Sequence, residues 1–131
     1  MQYAMLIYLS PADFDDRTNE DNEAFWGGWR SYFSGMVDAG VYAGGNPLEA
    51  ITTGATVRVK DGKRRIHDGP YAETKEQLGG FVILEAPSLE AAIDWAARCP
   101  AAATGAVEVR PVRNIDMKVL GIDEKAGQRT A

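Results

Sequence analysis

One cysteine and one histidine are all that this 131-residue chain holds of either, and each shortage removes a class of explanation. Cys99 has no partner for an internal bridge, which points to a reducing, cytoplasmic setting. His67 alone cannot build the multi-histidine sites of zinc enzymes. The acidic loop Asp13, Asp15, Asp16 lacks the Asp/Asn, Gly, Glu order of a calcium loop, so no metal is expected. No apolar run approaches the roughly 20 residues of a membrane span. Met1 leads into a strand-like run rather than a basic region, an apolar core and a cleavage site, so no membrane partner is expected. Positive charge is scarce as well. Lys and Arg number 14 against 19 Asp and Glu, a net charge of −5. The cluster Lys60, Lys63, Arg64, Arg65 straddles a turn beside Asp61, so no nucleic acid is expected to bind directly. Neither the GxGxxG pattern nor a glycine loop ending in Lys-Ser/Thr is present, and no cofactor is expected.

What remains fits one domain over residues 1–115 with a patternless tail over 116–131. Tyr3 to Leu9 is a short apolar run that reads as a buried strand, ended by Ser10-Pro11. A helix is expected to begin near Thr18, with Asp21 completing a capping box, followed by an apolar stripe of Phe25, Trp29, Tyr32, Phe33, Met36 and Val37. Trp26 falls one position off that stripe and suits a pocket wall or a partner surface. Gly27, Gly28 and Gly35 weaken such a helix by up to about 1 kcal/mol each, which makes sense if another backbone or a ligand packs closely there. Val41 to Ala43 reads as a short strand broken by Gly44-Gly45-Asn46-Pro47. Ala55 to Lys60 and Lys63 to His67 flank Asp61-Gly62, a hairpin signal. Gly80 to Ala86 is a further strand. Ser88 caps a second helix, whose expected buried face is Leu89, Ala92, Ile93, Ala96 and Ala97. Val107 to Val112 is the last strand. With the hairpin set aside, the order is βαββαβ, an α+β, ferredoxin-like arrangement with helices on one face of the sheet. A second copy of the chain is the simplest cover for the other face, so a homodimer is expected.

The most informative stretch runs from Asp68 to Phe81 and reads Asp-Gly-Pro-Tyr-Ala-Glu-Thr-Lys-Glu-Gln-Leu-Gly-Gly-Phe. It combines dense charge with turn residues, and charged loops held by a scaffold are where function concentrates. Asp68 reads either as an Asx-turn former or as a carboxylate at a strand end that gives and takes a proton. Glu73, Lys75 and Glu76 read either as a solvated, salt-linked loop or as groups that push pKa values apart for acid/base work. His67 precedes Asp68, so on a strand the two side chains point to opposite faces, which opposes a direct dyad. Gly79-Gly80 suits a tight passage into the strand rather than a phosphate cradle.

That stretch, from Asp68 to Glu76 and then Leu78-Gly79-Gly80-Phe81, resembles the signature of the YCII-related family, in the branch named for an Asp-Gly-Pro-Phe (DGPF) motif. The likeness extends to Tyr3-Ala4-Met5-Leu6-Ile7-Tyr8, Ala39-Gly40-Val41, Val57-Arg58-Val59 with Asp61-Gly62, Ala91-Ala92 with Trp95-Ala96, and Val107-Glu108-Val109-Arg110-Pro111. The resemblance implies a dimeric α/β barrel of ferredoxin-like subunits with a cleft between helices and sheet. Related YCII-like proteins are thought to use a His–Asp pair, and at least one is a dehydrochlorinase on a chlorinated aromatic diol or triol. Some members of the branch are encoded beside extracytoplasmic-function sigma factors. Two departures matter. Tyr71 replaces the motif's Phe and adds a hydroxyl. The first helix carries no histidine; Trp29, Ser31 and Tyr32 occupy that neighbourhood, so the dyad does not carry over.

Two functional expectations follow. In the first, a small cyclic or aromatic substrate sits in an apolar pocket lined by Trp29, Tyr32 and His67. Asp68 is general acid or base, Tyr71 a proton donor, Glu73 a supporting carboxylate and Lys75 an oxyanion stabiliser. Elimination or isomerisation suits that set, because neither requires a cofactor. In the second, the same dimer holds a ligand without chemistry or contacts a regulator such as a sigma factor.

Overall fold

The computed structural model describes residues 1–71 and 74–123, and the backbone alone of 128–129. Strand β1 (Gln2–Leu9) alternates strictly, with Tyr3, Met5, Ile7 and Leu9 buried and the residues between them half-buried. Ser10 then caps a short helix α1 (Pro11–Asp16), its Oγ accepting from the Asp13 N–H at 3.2 Å. The acidic loop expected here is therefore helical: proline at the first helical position, behind a serine cap, is a strong start signal.

Helix α2 (Glu23–Asp38) begins later than Thr18. Its cap is Asn22, whose Oδ1 accepts from the Phe25 N–H at 3.1 Å. Thr18 and Asp21 instead hold the intervening turn, Thr18 Oγ1 donating to the Asp15 carbonyl and Asn19 Oδ1 accepting from the Asp21 N–H. Trp29, Tyr32 and Met36 form the buried ridge, while Val37 is 60% exposed, outside the expected stripe. An added Cβ at Gly27, Gly28 or Gly35 would meet nothing closer than 3.8 Å among the described residues, so no backbone packs closely there.

Strand β2 (Tyr42–Pro47) runs through the glycine pair expected to break it. It is an edge strand, where a proline without an N–H costs no ladder bond. A hairpin follows, β3 (Ala55–Lys60) and β4 (Lys63–Asp68), turned by Asp61 and Gly62 at φ 52° and 73°, the primed turn that two-residue hairpins favour. Strand β5 (Gln77–Glu85) and helix α3 (Leu89–Arg98) come next, the helix capped by Ser88. A short helix α4 (Ala101–Thr104) leads to strand β6 (Ala106–Pro111). The tail carries a 3₁₀ turn over Met117–Leu120, and strands β7 (Ile122–Asp123) and β8 (Gln128–Arg129) pair there.

The main sheet has the order β2-β5-β1-β6 with every neighbour antiparallel. That order places two βα units side by side with their strands interleaved, as the split βαβ reading requires. Both long helices cover one face. Met5, Val82, Leu84, Trp29, Met36, Ala92 and Ala96 form one continuous core with Cys99. Helix α3 buries Ala92 and Ala96 and packs Ala91 and Trp95 partly against the core; Leu89, Ile93 and Ala97, expected inside, are exposed. The opposite sheet face, with Leu6, Phe81 and Ile83, carries no helix among the described residues and stays half-buried. None of the described helices is long and apolar enough to cross a membrane.

The ladder has one consequential irregularity. Ile7 pairs with Gly80 but Tyr8 pairs with Leu78, so Gly79 is a bulge residue on β5. Its carbonyl accepts from the Leu48 N–H at 2.8 Å and from Arg17 Nη1 at 3.2 Å.

Core burial sets the stability order. Leu84 is fully buried, and Leu84→Ala is expected to cost about 2–5 kcal/mol, whereas Val37→Ala should stay within about 0.5 kcal/mol of the parent. Urea unfolding of both variants checks this.

Candidate functional site

A cavity of about 170 Å³ opens between α2 and the sheet. Its helix wall is Phe25, Trp26, Trp29 and Phe33; its floor is Ile7, Leu9 and Val82; its rim is Tyr42, Gly45 to Pro47, Gly79 and Gly80. The aromatics support one another. Phe25 meets Trp26 edge-on at 4.9 Å, Trp29 stacks on Phe33 at 6.0 Å, and Phe33 meets Tyr42 edge-on at 5.8 Å. Such pairs favour these offset and edge geometries because of the ring quadrupole. Trp26 is fixed further by its indole N–H, which donates to the Asn19 carbonyl at 3.0 Å. The glycine rim leaves the space open: a Cβ on Gly79 would stand 2.5 Å from Leu9 Cδ1. Arg17 is the charged residue of this lining.

A second, more open cavity lies where β1 and β5 face the loop after β2 and the turn after β4. Tyr8, Leu48, Gly69, Pro70, Tyr71, Thr74, Gln77 and Leu78 line part of it. Here the Tyr8 hydroxyl donates to Glu108 Oε1 at 3.4 Å, and partial burial followed by the Glu108 charge raises its pKa. The turn is tied down by backbone: the Gly69 N–H donates to the Gly54 carbonyl at 2.7 Å, and the Gly69 carbonyl accepts from Thr56 Oγ1 at 2.9 Å.

The residues singled out in the sequence separate into distinct places. Trp29 lines the aromatic cleft. Tyr32 stands behind it in the core, its hydroxyl donating to the Trp95 carbonyl at 2.7 Å, and burial pushes its pKa well above the usual range. His67 lies on the exposed hairpin opposite Thr56, and Asp68 opposite Ala55 at its base. Neither lines a cavity described above. Tyr71 is 76% exposed on the second cavity, with the Arg58 guanidinium 5.0 Å over its ring. Lys75 is exposed without an ion pair among the described residues. Glu73 lies outside the described residues. No group of acidic, histidine or cysteine side chains among the described residues has metal-site geometry.

Sequence reasoning passed over Arg17 and Asn46. The signal for Arg17 was available: it is the one cation between Pro11 and Trp29, amid Asp13, Asp15, Asp16, Glu20, Asp21 and Glu23. Asn46 gave none, because its position on the rim depends on β2 continuing past its glycines.

Comparisons with known proteins agree on the kind of domain. The family model for the YCII-related domain matches residues 1–116. An uncharacterized protein of Rhizobium meliloti is 35% identical over 114 residues, covering 86% of this chain and 92% of that protein. Among solved structures, a 5-chloro-2-hydroxyhydroquinone dehydrochlorinase from Burkholderia phenoliruptrix, in complex with 2,5-dihydroxybenzoquinone, aligns with a TM-score of 0.50 over 88% of this chain and 96% of that one. At 17% identity that likeness is one of fold.

Behind the cleft, Cys99 is buried and its thiol pKa is pushed from 9.0 up to about 11 by burial, against hydrogen bonds from the Ala101 and Ala102 backbone. The folded state thus holds this proton more tightly than the unfolded chain. Its contribution to stability is complete below pH 9.0 and is lost as pH rises through about 11. Cys99→Ala is therefore expected to flatten the loss of unfolding free energy between those pH values. Urea titrations of parent and variant across that window measure it.

Proposed function

The chain belongs to the YCII-related family, and from that premise we propose that it handles a small cyclic or aromatic molecule in the cleft between α2 and the sheet. The observation that carries this reading is the aromatic-walled cavity of about 170 Å³. Apolar cavities of about 150 Å³ take a single benzene ring, so one ring fits. Binding pockets are generally concave, mostly apolar and sparingly polar, and this lining has that character. The fold neighbour is a dehydrochlorinase of 5-chloro-2-hydroxyhydroquinone, which fits the same ligand class.

Acid–base turnover of an elimination or isomerisation type is the first form of this proposal. Asp68 is its base or acid, Tyr71 its proton donor, and Lys75 with Glu73 its electrostatic support. The second form is binding without chemistry, in a regulatory setting that includes a sigma factor as partner. The placement of Asp68 and Tyr71 outside the aromatic lining favours this second form in an isolated subunit. Binding and turnover separate the two. Trp26 and Trp29 line the cleft, whereas Trp95 lies under the Arg98 guanidinium, so in a Trp95→Phe background tryptophan fluorescence reports cleft occupancy. Phenolic and lactone compounds are expected to quench it. If Asp68 is the base, Asp68→Asn should keep the quenching and lose roughly 100-fold or more in turnover. Unchanged turnover in that variant sinks the acid/base role, and quenching without turnover in the parent leaves the binding form.

We also propose a homodimer, which completes the α/β barrel. Two apolar surfaces support it. Leu6, Phe81 and Ile83 sit on a sheet face that no helix covers, and the hairpin exposes Val57, Val59 and Ile66 on one face. A two-stranded hairpin by itself is marginal in water. Sedimentation velocity should give a dimer for the parent and a folded monomer for Phe81→Lys. A monomeric parent at micromolar concentration would remove this part of the reading.

A further inference from the structure

The cation at the rim of the aromatic cleft suggests the chemistry of the ligand. Arg17 lines an otherwise uncharged cleft. Its guanidinium donates through Nη1 to the Gly79 carbonyl at 3.2 Å and through Nη2 to the Leu48 carbonyl, and it stands 4.6 Å over the Phe14 ring. Both acceptors are backbone oxygens. No carboxylate pairs with it among the described residues, although the surrounding segment is rich in them. Asp13 instead accepts from the Thr104 hydroxyl. Arg17 is thus fixed in orientation without being neutralised.

The fixing contacts are to the Gly79 bulge and to Leu48, just past β2, which holds the charge at the rim of the cleft. A guanidinium carries five N–H donors in a planar fork suited to carboxylate oxygens. Two carbonyls occupy part of that fork and leave donors over. The aromatic wall beside it matches a planar ring.

We propose that the cleft selects a planar ring bearing an anionic oxygen, a carboxylate or phenolate, with Arg17 as the anion-binding residue and the α2 aromatics as the ring-binding wall. This rests on the cleft reading above and adds the sign of the ligand's charge. Charge-assisted hydrogen bonds are roughly twice as strong as neutral ones, and exposed charge pairs are weakened by salt.

Benzoate and benzyl alcohol test it, since they share a ring and differ in charge. In the Trp95→Phe background at low salt, fluorescence titration should show benzoate binding roughly tenfold or more tighter, with the gap narrowing as salt rises. Arg17→Gln should erase the preference while benzyl alcohol affinity stays within about twofold. Arg17→Lys should keep the preference in part, because an ammonium holds the charge but not the fork. Equal affinities in the parent overturn the inference and leave the cleft reading standing. A parallel loss of both ligands in Arg17→Gln and Arg17→Lys, with melting temperature lowered, also overturns it and assigns Arg17 to holding the loop alone. If neither compound binds the parent, the inference and the cleft reading fall together.

Discussion

The bulge at Gly79 is the constraint on which the site depends. One extra residue in β5 turns a carbonyl out of the ladder, and that oxygen gathers the Leu48 N–H and the Arg17 guanidinium. The end of β2, the turn after α1 and the start of β5 are thereby tied at a single point. Glycine there lets the Leu9 side chain keep its place in the cleft floor, since a Cβ would stand 2.5 Å from Leu9 Cδ1. Bulges recur beside active sites for this reason: they redirect a backbone group without dismantling the sheet. The remaining charged groups near the cleft stay outside it, so the bulge also decides which charge the cavity sees.

Around that point the sheet divides its two faces. The helix side is closed by large side chains from α2 and by small ones from α3, where Ala92 and Ala96 let the helix lie close. The cleft lies against α2 at the β2 edge of the sheet. The open side has no such layer. Its half-buried apolar residues share a sheet with Glu108 and Arg110, a mixed surface of the kind that suits contact with protein.

The sequence carried much of this because its strong signals were local. The apolar run Tyr3 to Leu9, the Asp61-Gly62 turn and the Ser88 cap depend only on near neighbours, and each stands where the pattern puts it. Competition between nearby signals hid other features. Thr18 with Asp21 and Asn22 with Phe25 are both legitimate helix starts. Asn22 is the better cap, and Ser10-Pro11 had already used the upstream residues for a helix of their own. Strand β2 is tertiary in origin: its glycines become a strand because β5 offers a ladder. The same dependence hid Arg17, whose partners Leu48 and Gly79 are distant in sequence, and both are backbone atoms with no side-chain signature.

A motif and a cavity also need not coincide. The Asp68–Phe81 stretch is conspicuous because it turns the chain out of the hairpin and back into β5, and its residues fall on both sides of that task. Gly69, Pro70 and Tyr71 shape the second cavity; Gly79 and Gly80 rim the aromatic cleft. The charged members, Asp68 and Lys75, remain at the surface in a single subunit. A general acid or base works from within hydrogen-bond reach of its substrate, in a site closed to water. Catalysis by Asp68 therefore requires a second surface to bury it. The uncovered sheet face and the exposed apolar side of the hairpin are the parts of this chain suited to hold that surface in place.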